Sequence, residues 1–326
     1  MENKVQFKNR IDLQELNHLI GQIKYEIKKV IIGQEKNIDL LLVGLFAKGH
    51  VLIEGVPGIA KTLSAKLLAK SISSGFSRIQ FTPDLMPSDV LGTTIFNVST
   101  SKFEFNKGPI FSNIILIDEI NRAPAKTQSA LFEVMEEAQI SIDGTTHNME
   151  QPFWVIATQN PIEQEGTYRL PEAQLDRFLM KIEFTYPDEQ EELEILSTKN
   201  ARKGKNETFE ITEVLNSEQI NMLRQQILEI HIDENLQKYI VQIVQSTRNH
   251  PGIILGASPR ASVAVMMAAK ALSAIRGRDF VTPDDIKEVV IPALHHRLIL
   301  TPEKEMEGVL PKQIIAQIME GIEIPR

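Results

Sequence analysis

The 326-residue sequence contains no cysteine. That absence excludes disulfides, thiol nucleophiles and thiolate metal sites, and it selects no compartment. Long hydrophobic runs are missing as well. The apolar stretches at 51–53 and 114–117 are short, far below the roughly 18 apolar residues a membrane helix needs. Residues 1–10 carry no apolar segment and no small-residue cleavage pattern, so no secretory leader is expected and the expected location is the cytoplasm. A basic excess is also absent: 35 Lys and Arg face 43 Asp and Glu, a formal net charge of −8. Proteins that grip duplex nucleic acid show a basic face, so nucleic acid is disfavoured as the main partner. A basic pore in an oligomer is still compatible with that total. What is present, 42% hydrophobic and 24% charged residues, is the composition of a folded chain of one large or two ordinary domains.

Helical periodicity marks 11–47, as in Leu16, Leu19, Ile20, Ile23 and Ile27, with an interruption at Ile31-Ile32-Gly33-Gln34. Short apolar runs follow at 51–53, 79–81, 114–117, 154–157 and 178–182, with helical patterns between them, notably at 61–71 and 126–138. Runs without alternation suit parallel strands covered on both faces. Strand alternating with helix predicts a doubly wound α/β core. Two polar segments interrupt the alternation, at 93–105 and 140–149, and both read as hairpin inserts. The second holds Asp143-Gly144, a strong hairpin turn signal. Beyond Tyr186-Pro187 the strand series ends and helices are expected near 217–230, 234–248, 259–276 and 283–290. The last opens on Thr282-Pro283-Asp284-Asp285, a capping box with proline in the first turn. The charged stretch 199–213 reads as a linker. The expected organisation is an α/β nucleotide-binding domain over 1–187, with N-terminal helices and two hairpin inserts, and a smaller all-helical domain over 188–326.

The chemistry concentrates in two motifs. Gly55-Val56-Pro57-Gly58-Ile59-Ala60-Lys61-Thr62, with Leu63 next, stands between an apolar strand and a helical pattern. Glycines there let backbone N–H groups close on a polyanionic phosphate chain. The following helix N-terminus adds partial positive charge. Lys61 is expected on the β- and γ-phosphates and Thr62 on magnesium. Ala60 stands where glycine is usual, and can serve only if the backbone there keeps a negative φ. The second motif is Asp118-Glu119, which ends an apolar strand and so lies at the carboxyl edge of a parallel sheet, where such folds bind ligands. Asp118 suits the magnesium shell, and Glu119 suits the general base that polarises water. Together the motifs predict a magnesium-dependent ATPase.

Here the residues reach a family. Ile32-Gly33-Gln34, the loop 55–62 with its Ala60, Asp118-Glu119-Ile120-Asn121-Arg122-Ala123-Pro124, Ala157-Thr158-Gln159-Asn160-Pro161, the stretch 170–178 ending Asp176-Arg177-Phe178, and Ser258-Pro259-Arg260-Ala261 together resemble the MoxR branch of the AAA+ superfamily. The resemblance spans nearly the whole chain. It implies further roles. Asn160 looks like the sensor that helps to position water. Arg177 looks like an arginine finger supplied to a neighbouring subunit's ATP, where its guanidinium would stabilise transition-state charge. Arg260 looks like the second sensor, closing the helical domain as a lid over the chain's own ATP. Ile32 and Gly33 resemble the segment beside the adenine. The inserts resemble hairpins that line the pore of a ring and touch the substrate. A homo-oligomer, a hexameric ring as in relatives of this kind, is implied, as are client proteins and partners with a von Willebrand factor A domain.

Three other functions stand beside chaperone-like maturation of a partner: a chelatase-type motor for metal insertion, a nucleic-acid motor, and a scaffold that binds ATP without turnover. Several features read as structural. His295-His296 are adjacent and so point in different directions from a helix, which argues against a metal pair. Met266-Met267 and Trp154 read as core.

Overall fold

The computed structural model describes residues 11–161, 167–202 and 211–325. The N-terminal reading and the middle of the expected linker, 203–210, lie outside these residues. Two helices open the described chain, α1 (Gln14–Lys28) and α2 (Glu35–Phe46). The next elements are β1 (Val51–Glu54), α3 (Lys61–Lys70), β2 (Ile72–Ser73), β3 (Phe76–Gln80), α4 (Pro87–Leu91), β4 (Gly92–Asn97), β5 (Lys102–Lys107), β6 (Ile114–Asp118), α5 (Ala125–Glu137), β7 (Gln139–Ile142), β8 (Thr145–Asn148), β9 (Trp154–Gln159), α6 (Glu172–Leu175) and β10 (Met180–Glu183). A mainly helical half completes the chain: α7 (Glu189–Arg202), β11 (Leu215–Asn216), α8 (Ser217–Leu228), α9 (Glu234–Asn249), β12 (Ile253–Leu255), α10 (Pro259–Ile275), α11 (Pro283–Leu294), β13 (Ile299–Leu300), α12 (Pro302–Met306) and α13 (Pro311–Glu320).

Five strands form one parallel sheet in the order β10-β1-β9-β6-β3. Its strands lack polar alternation because both faces are covered. Ile53, Leu116, Trp154 and Ile156 pack into a core shared with α1, α2, α3 and the C-terminal helices. Their neighbours Leu52, Ile115, Ile117, Val155 and Ala157 face a second core with Leu131, Phe132 and Val134 of α5. The doubly wound α/β core read from the sequence is therefore present, followed by helices. Trp154 is buried, and its indole N–H donates to the Gly49 carbonyl at 2.8 Å. Met266 and Met267 pack half-buried against the first core.

Both inserts are antiparallel hairpins, β4–β5 and β7–β8, and Asp143-Gly144 makes the turn of the second with positive φ at both residues. The hairpins touch: Thr94 Oγ1 donates to Asp143 Oδ2 at 2.5 Å. The first hairpin carries Ile95, Phe96, Val98 and Phe103 in the open, with Phe96 and Phe103 packed edge to face.

Helix α7 covers the first residues of the expected linker. Its acids Glu189, Glu191 and Glu192 sit in the first turn and Lys199 and Arg202 in the last, the charge order that suits the helix dipole. None of its residues is buried, so no apolar stripe announced it. Two short strand pairs, β2–β11 and β12–β13, also escaped the sequence reading. No helix among the described residues is long and apolar enough to cross a membrane.

Candidate active site

The sheet order sets three loops side by side. β1 lies between β10 and β9, and β9 lies between β1 and β6. The glycine loop, Asn160 and the pair Asp118-Glu119 thus leave adjacent parallel strands at one carboxyl edge. Gly58 has φ +88° and Ala60, which caps α3, has φ +64°. The expectation of a negative φ at Ala60 is thus corrected. The chain has to turn through a left-handed residue to aim its N–H groups inward before α3 begins, and an L-residue pays about 1–2 kcal/mol for that conformation. The Lys61 ammonium folds back onto the loop, donating to the Gly55 carbonyl and, at 3.2 Å, to the Gln159 carbonyl.

Asp118 is 3% exposed and has three partners. Its Oδ1 accepts from Thr62 Oγ1 at 2.8 Å and from Thr158 Oγ1 at 3.2 Å, and its Oδ2 meets Arg78 Nε at 2.6 Å. A hydroxyl and a carboxylate oxygen in contact are hard donors. They fit magnesium, which takes one or two protein oxygens and leaves the rest of its shell to water and phosphate. Glu119 sits in the left-handed region with φ +57°, and its N–H donates to Thr158 Oγ1 at 3.0 Å. Its Oε2 accepts from Gln80 Nε2 at 3.0 Å and pairs with Arg122 Nε at 2.9 Å. Asn160 is 6% exposed, one residue beyond β9.

Beside the loop lies a cavity of about 240 Å³ lined by Val30, Ile31, Ile32, Gly58, Ile59, Ala60, Leu63, Pro187, Ile195 and Arg202, among others. It is a slot next to the phosphate loop with mostly apolar walls and the polar side chains of Gln34, Thr198, Lys199 and Arg202, of the kind that takes a flat base. Ile32 lines it. Gly33 does not line it; that glycine turns the chain with φ +77° against the Glu191 side chain.

Two arginines lie elsewhere. Arg177 follows α6 and pairs with Glu136 Oε2 at 2.8 Å, while its Nη1 donates to the Phe132 carbonyl at 2.5 Å. Arg260, in the first turn of α10, meets Glu136 Oε1 at 2.6 Å. One carboxylate therefore holds both. The hydrogen bond from Arg260, opposed by slight burial and aided by the charge of Arg177, keeps the Glu136 carboxyl below the usual carboxylate range. Glu136 is eleven residues into α5, about 17 Å along the helix from its start beside Asp118-Glu119. Its neighbour Met135 touches His50, which precedes β1 at the amino side of the sheet. The expectation that Arg260 closes over the chain's own ATP does not fit this geometry: Arg260 shares a carboxylate with Arg177, a helix length from the phosphate loop.

The seam around the arginines is well tied. Asp176 accepts from Arg297 Nε at 2.7 Å and from Ser258 Oγ at 3.0 Å. Arg297 also donates to the Phe178 and Leu179 carbonyls, at 2.7 and 3.1 Å. His295 and His296 are buried in the same seam. Burial holds the His295 imidazole at about 4 and His296 well below its ordinary value. No cluster of three or more metal-ligating side chains occurs among the described residues.

Sequence reasoning missed Arg78, Gln80, Thr158 and Glu136. Arg78 and Gln80 are two apart on β3, hence on one face, and β3 pairs with β6 so that Gln80 stands opposite Asp118. Only the strand order reveals that neighbour. Thr158, inside the Ala157-to-Pro161 motif, had a signal in its position one strand away from the acids.

Comparison with known proteins agrees with this geometry. The family described as ATPase family associated with various cellular activities (AAA) matches residues 50–180, and the AAA lid domain matches residues 245–318. The chain is 47% identical over 313 residues to protein YeaC of Bacillus subtilis (strain 168), covering 96% of this chain and 97% of that one. It is 42% identical over 318 residues to the chaperone MoxR1 of Mycobacterium tuberculosis, covering 95% of this chain and 83% of that one. A crystal structure of a Cytophaga hutchinsonii protein superposes with a TM-score of 0.87 at 45% identity, over 96% of this chain and 97% of that one.

Proposed function

The chain belongs to the MoxR family of AAA+ ATPases, and from that premise we propose that it hydrolyses ATP in a site completed by a second copy, and that turnover drives the maturation of a client protein. The observation that carries the reading is the separation of charge. Acids, lysine and loop gather at the carboxyl edge, whereas Arg177 and Arg260 share Glu136 about 17 Å down α5. That separation supports placing the two guanidinium groups on a neighbour's phosphates.

Within one chain, the loop N–H groups and Lys61 hold the phosphates, while Ile31, Ile32, Ile59 and Leu63 flank the base. Thr62 and Asp118 hold magnesium, which when bound neutralises phosphate charge. Glu119 takes the proton of the attacking water, with Asn160 orienting it. Release of Glu119 from Gln80 and Arg122 frees its carboxylate for that step. The neighbour's Arg177 and Arg260 meet the charge that develops on the phosphoryl oxygens. Copies arranged head to tail close into a ring, and six is the number we propose. The exposed Ile95, Phe96, Val98 and Phe103 support client contact by the hairpins, and a von Willebrand factor A domain protein is the proposed adaptor.

The test has two parts. Turnover per subunit should rise with protein concentration as copies assemble; a constant rate from a monomer would sink the shared site. A Glu119→Gln variant, locked with ATP, should retain a client from its own lysate. Recovery of ring subunits alone would leave the hydrolytic reading standing and remove the chaperone one.

A further inference from the structure

Glu136 lies at the far end of α5 from the Asp118-Glu119 pair, yet it meets two arginines that are distant from each other in the sequence. Arg177 comes from the end of α6 and Arg260 from the first turn of α10. Each arrives on a tethered segment. Asp176, beside Arg177, binds Ser258, which caps the helix that carries Arg260. The buried Arg297 ties Asp176 and the Phe178 carbonyl to the end of α11. The Phe132 carbonyl takes a second hydrogen bond from Arg177. Both cations thus stand on the last turn of α5, where the helix dipole is negative.

Two guanidinium groups brought this close repel one another unless a carboxylate stands between them. Glu136 supplies one negative charge for two positive ones, so the group keeps a net positive charge to offer. It is about a third exposed, which leaves the group open to solvent and therefore to another chain.

We propose that Glu136 is a positioning residue for hydrolysis in the neighbouring subunit: it holds Arg177 and Arg260 as one preorganised cationic unit that docks on the neighbour's ATP. The proposal rests on the shared-site reading above. Pairing through a common carboxylate means that the two arginines act together, and that the lid reports on the adjacent site through Arg260.

Glu136→Gln keeps an acceptor oxygen but loses the charge that holds two guanidinium groups at once. The expected result is a kcat about tenfold lower, a small part of what a stabilising arginine contributes in phosphoryl transfer. Affinity for a fluorescent ADP analogue should stay within about twofold, since the variant lies a helix length from the loop, and that binding also reports an intact fold. The deciding measurement is complementation. Glu136→Gln subunits are co-expressed with Glu119→Gln subunits, which have a disabled base but intact arginines. In mixed rings the Glu136→Gln sites next to Glu119→Gln neighbours should recover most of the wild-type rate per competent site. Arg177→Ala subunits mixed in the same way serve as the control and should recover likewise. A Glu136→Gln rate equal to wild type overturns the proposal. So does failure of Glu136→Gln to recover while Arg177→Ala does, because a carboxylate needed only for its own subunit's packing cannot be replaced by a neighbour. Failure of both overturns the shared site itself, and the role of Glu136 with it.

Discussion

The two ends of α5 offer a comparison within one molecule. At its start, Asp118 and Glu119 sit with Thr62, Thr158, Arg78 and Gln80 in a web of hydrogen bonds, beside Lys61 of the loop. At its end, Glu136 holds Arg177 and Arg260. The first end has the acids and the phosphate loop, and the second has cations with no phosphate loop near them. On the proposed reading each is half of a phosphoryl-transfer site that a second copy completes, and a single helix, α5, keeps the two halves apart.

Four measurements can break or sharpen that comparison. Arg177→Ala should lower kcat by about 10³, within the range known for arginine fingers, while binding of a fluorescent ADP analogue stays unchanged. Weakened binding in a dilute, unassembled sample would place Arg177 on its own subunit's nucleotide and erase the contrast. Glu119→Gln should lower kcat by about 10² with nucleotide binding kept, the scale of a lost general base; steady-state phosphate release beside equilibrium binding checks it.

The third measurement tests the arginine end through pH. His50 accepts from the Val155 N–H at 3.0 Å and meets the Met135 carbonyl beside Glu136. Burial lowers its value from the ordinary 6.5 to about 4. The unfolded chain therefore binds the proton first. The stabilising contribution is present above about pH 6.5 and is lost as pH falls towards about 4, at about 1.4 kcal/mol per pH unit. Thermal melting across that window should show the slope, reduced in His50→Gln; an unchanged slope would remove His50 from the account. The smallest effect is expected at the loop. Ala60→Gly should stabilise the chain by about 1 kcal/mol, the relief of a left-handed alanine less the added freedom of the unfolded state. A destabilised variant would mean that the alanine methyl packs usefully against the cavity beside the loop.

Much was legible beforehand. The five main strands, both hairpins, the phosphate loop and the acidic pair were readable because each is a short contiguous pattern. The misses have common causes. Helix α7 buries no residue, so it left no apolar period to find. The negative φ expected at Ala60 followed from what alanine prefers, whereas the loop's need to aim its N–H groups settles the matter at φ +64°. Arg260 was expected over its own subunit's nucleotide because its motif names a role and carries no direction, whereas the structure sets it against Glu136.

The sequence by itself determined which groups are on offer: a glycine loop with Lys61 and Thr62, the Asp118-Glu119 pair, and candidate arginines. These depend on residue type and on neighbours a few positions away. Only the tertiary structure decided which groups meet. Gln80 reaches Glu119 because β3 pairs with β6, and Arg260 reaches Glu136 across 124 residues because α10 docks at the end of α5. Such contacts arise from strand order and from the burial of two apolar faces, which are sums over the whole chain, and no local pattern of residues records them.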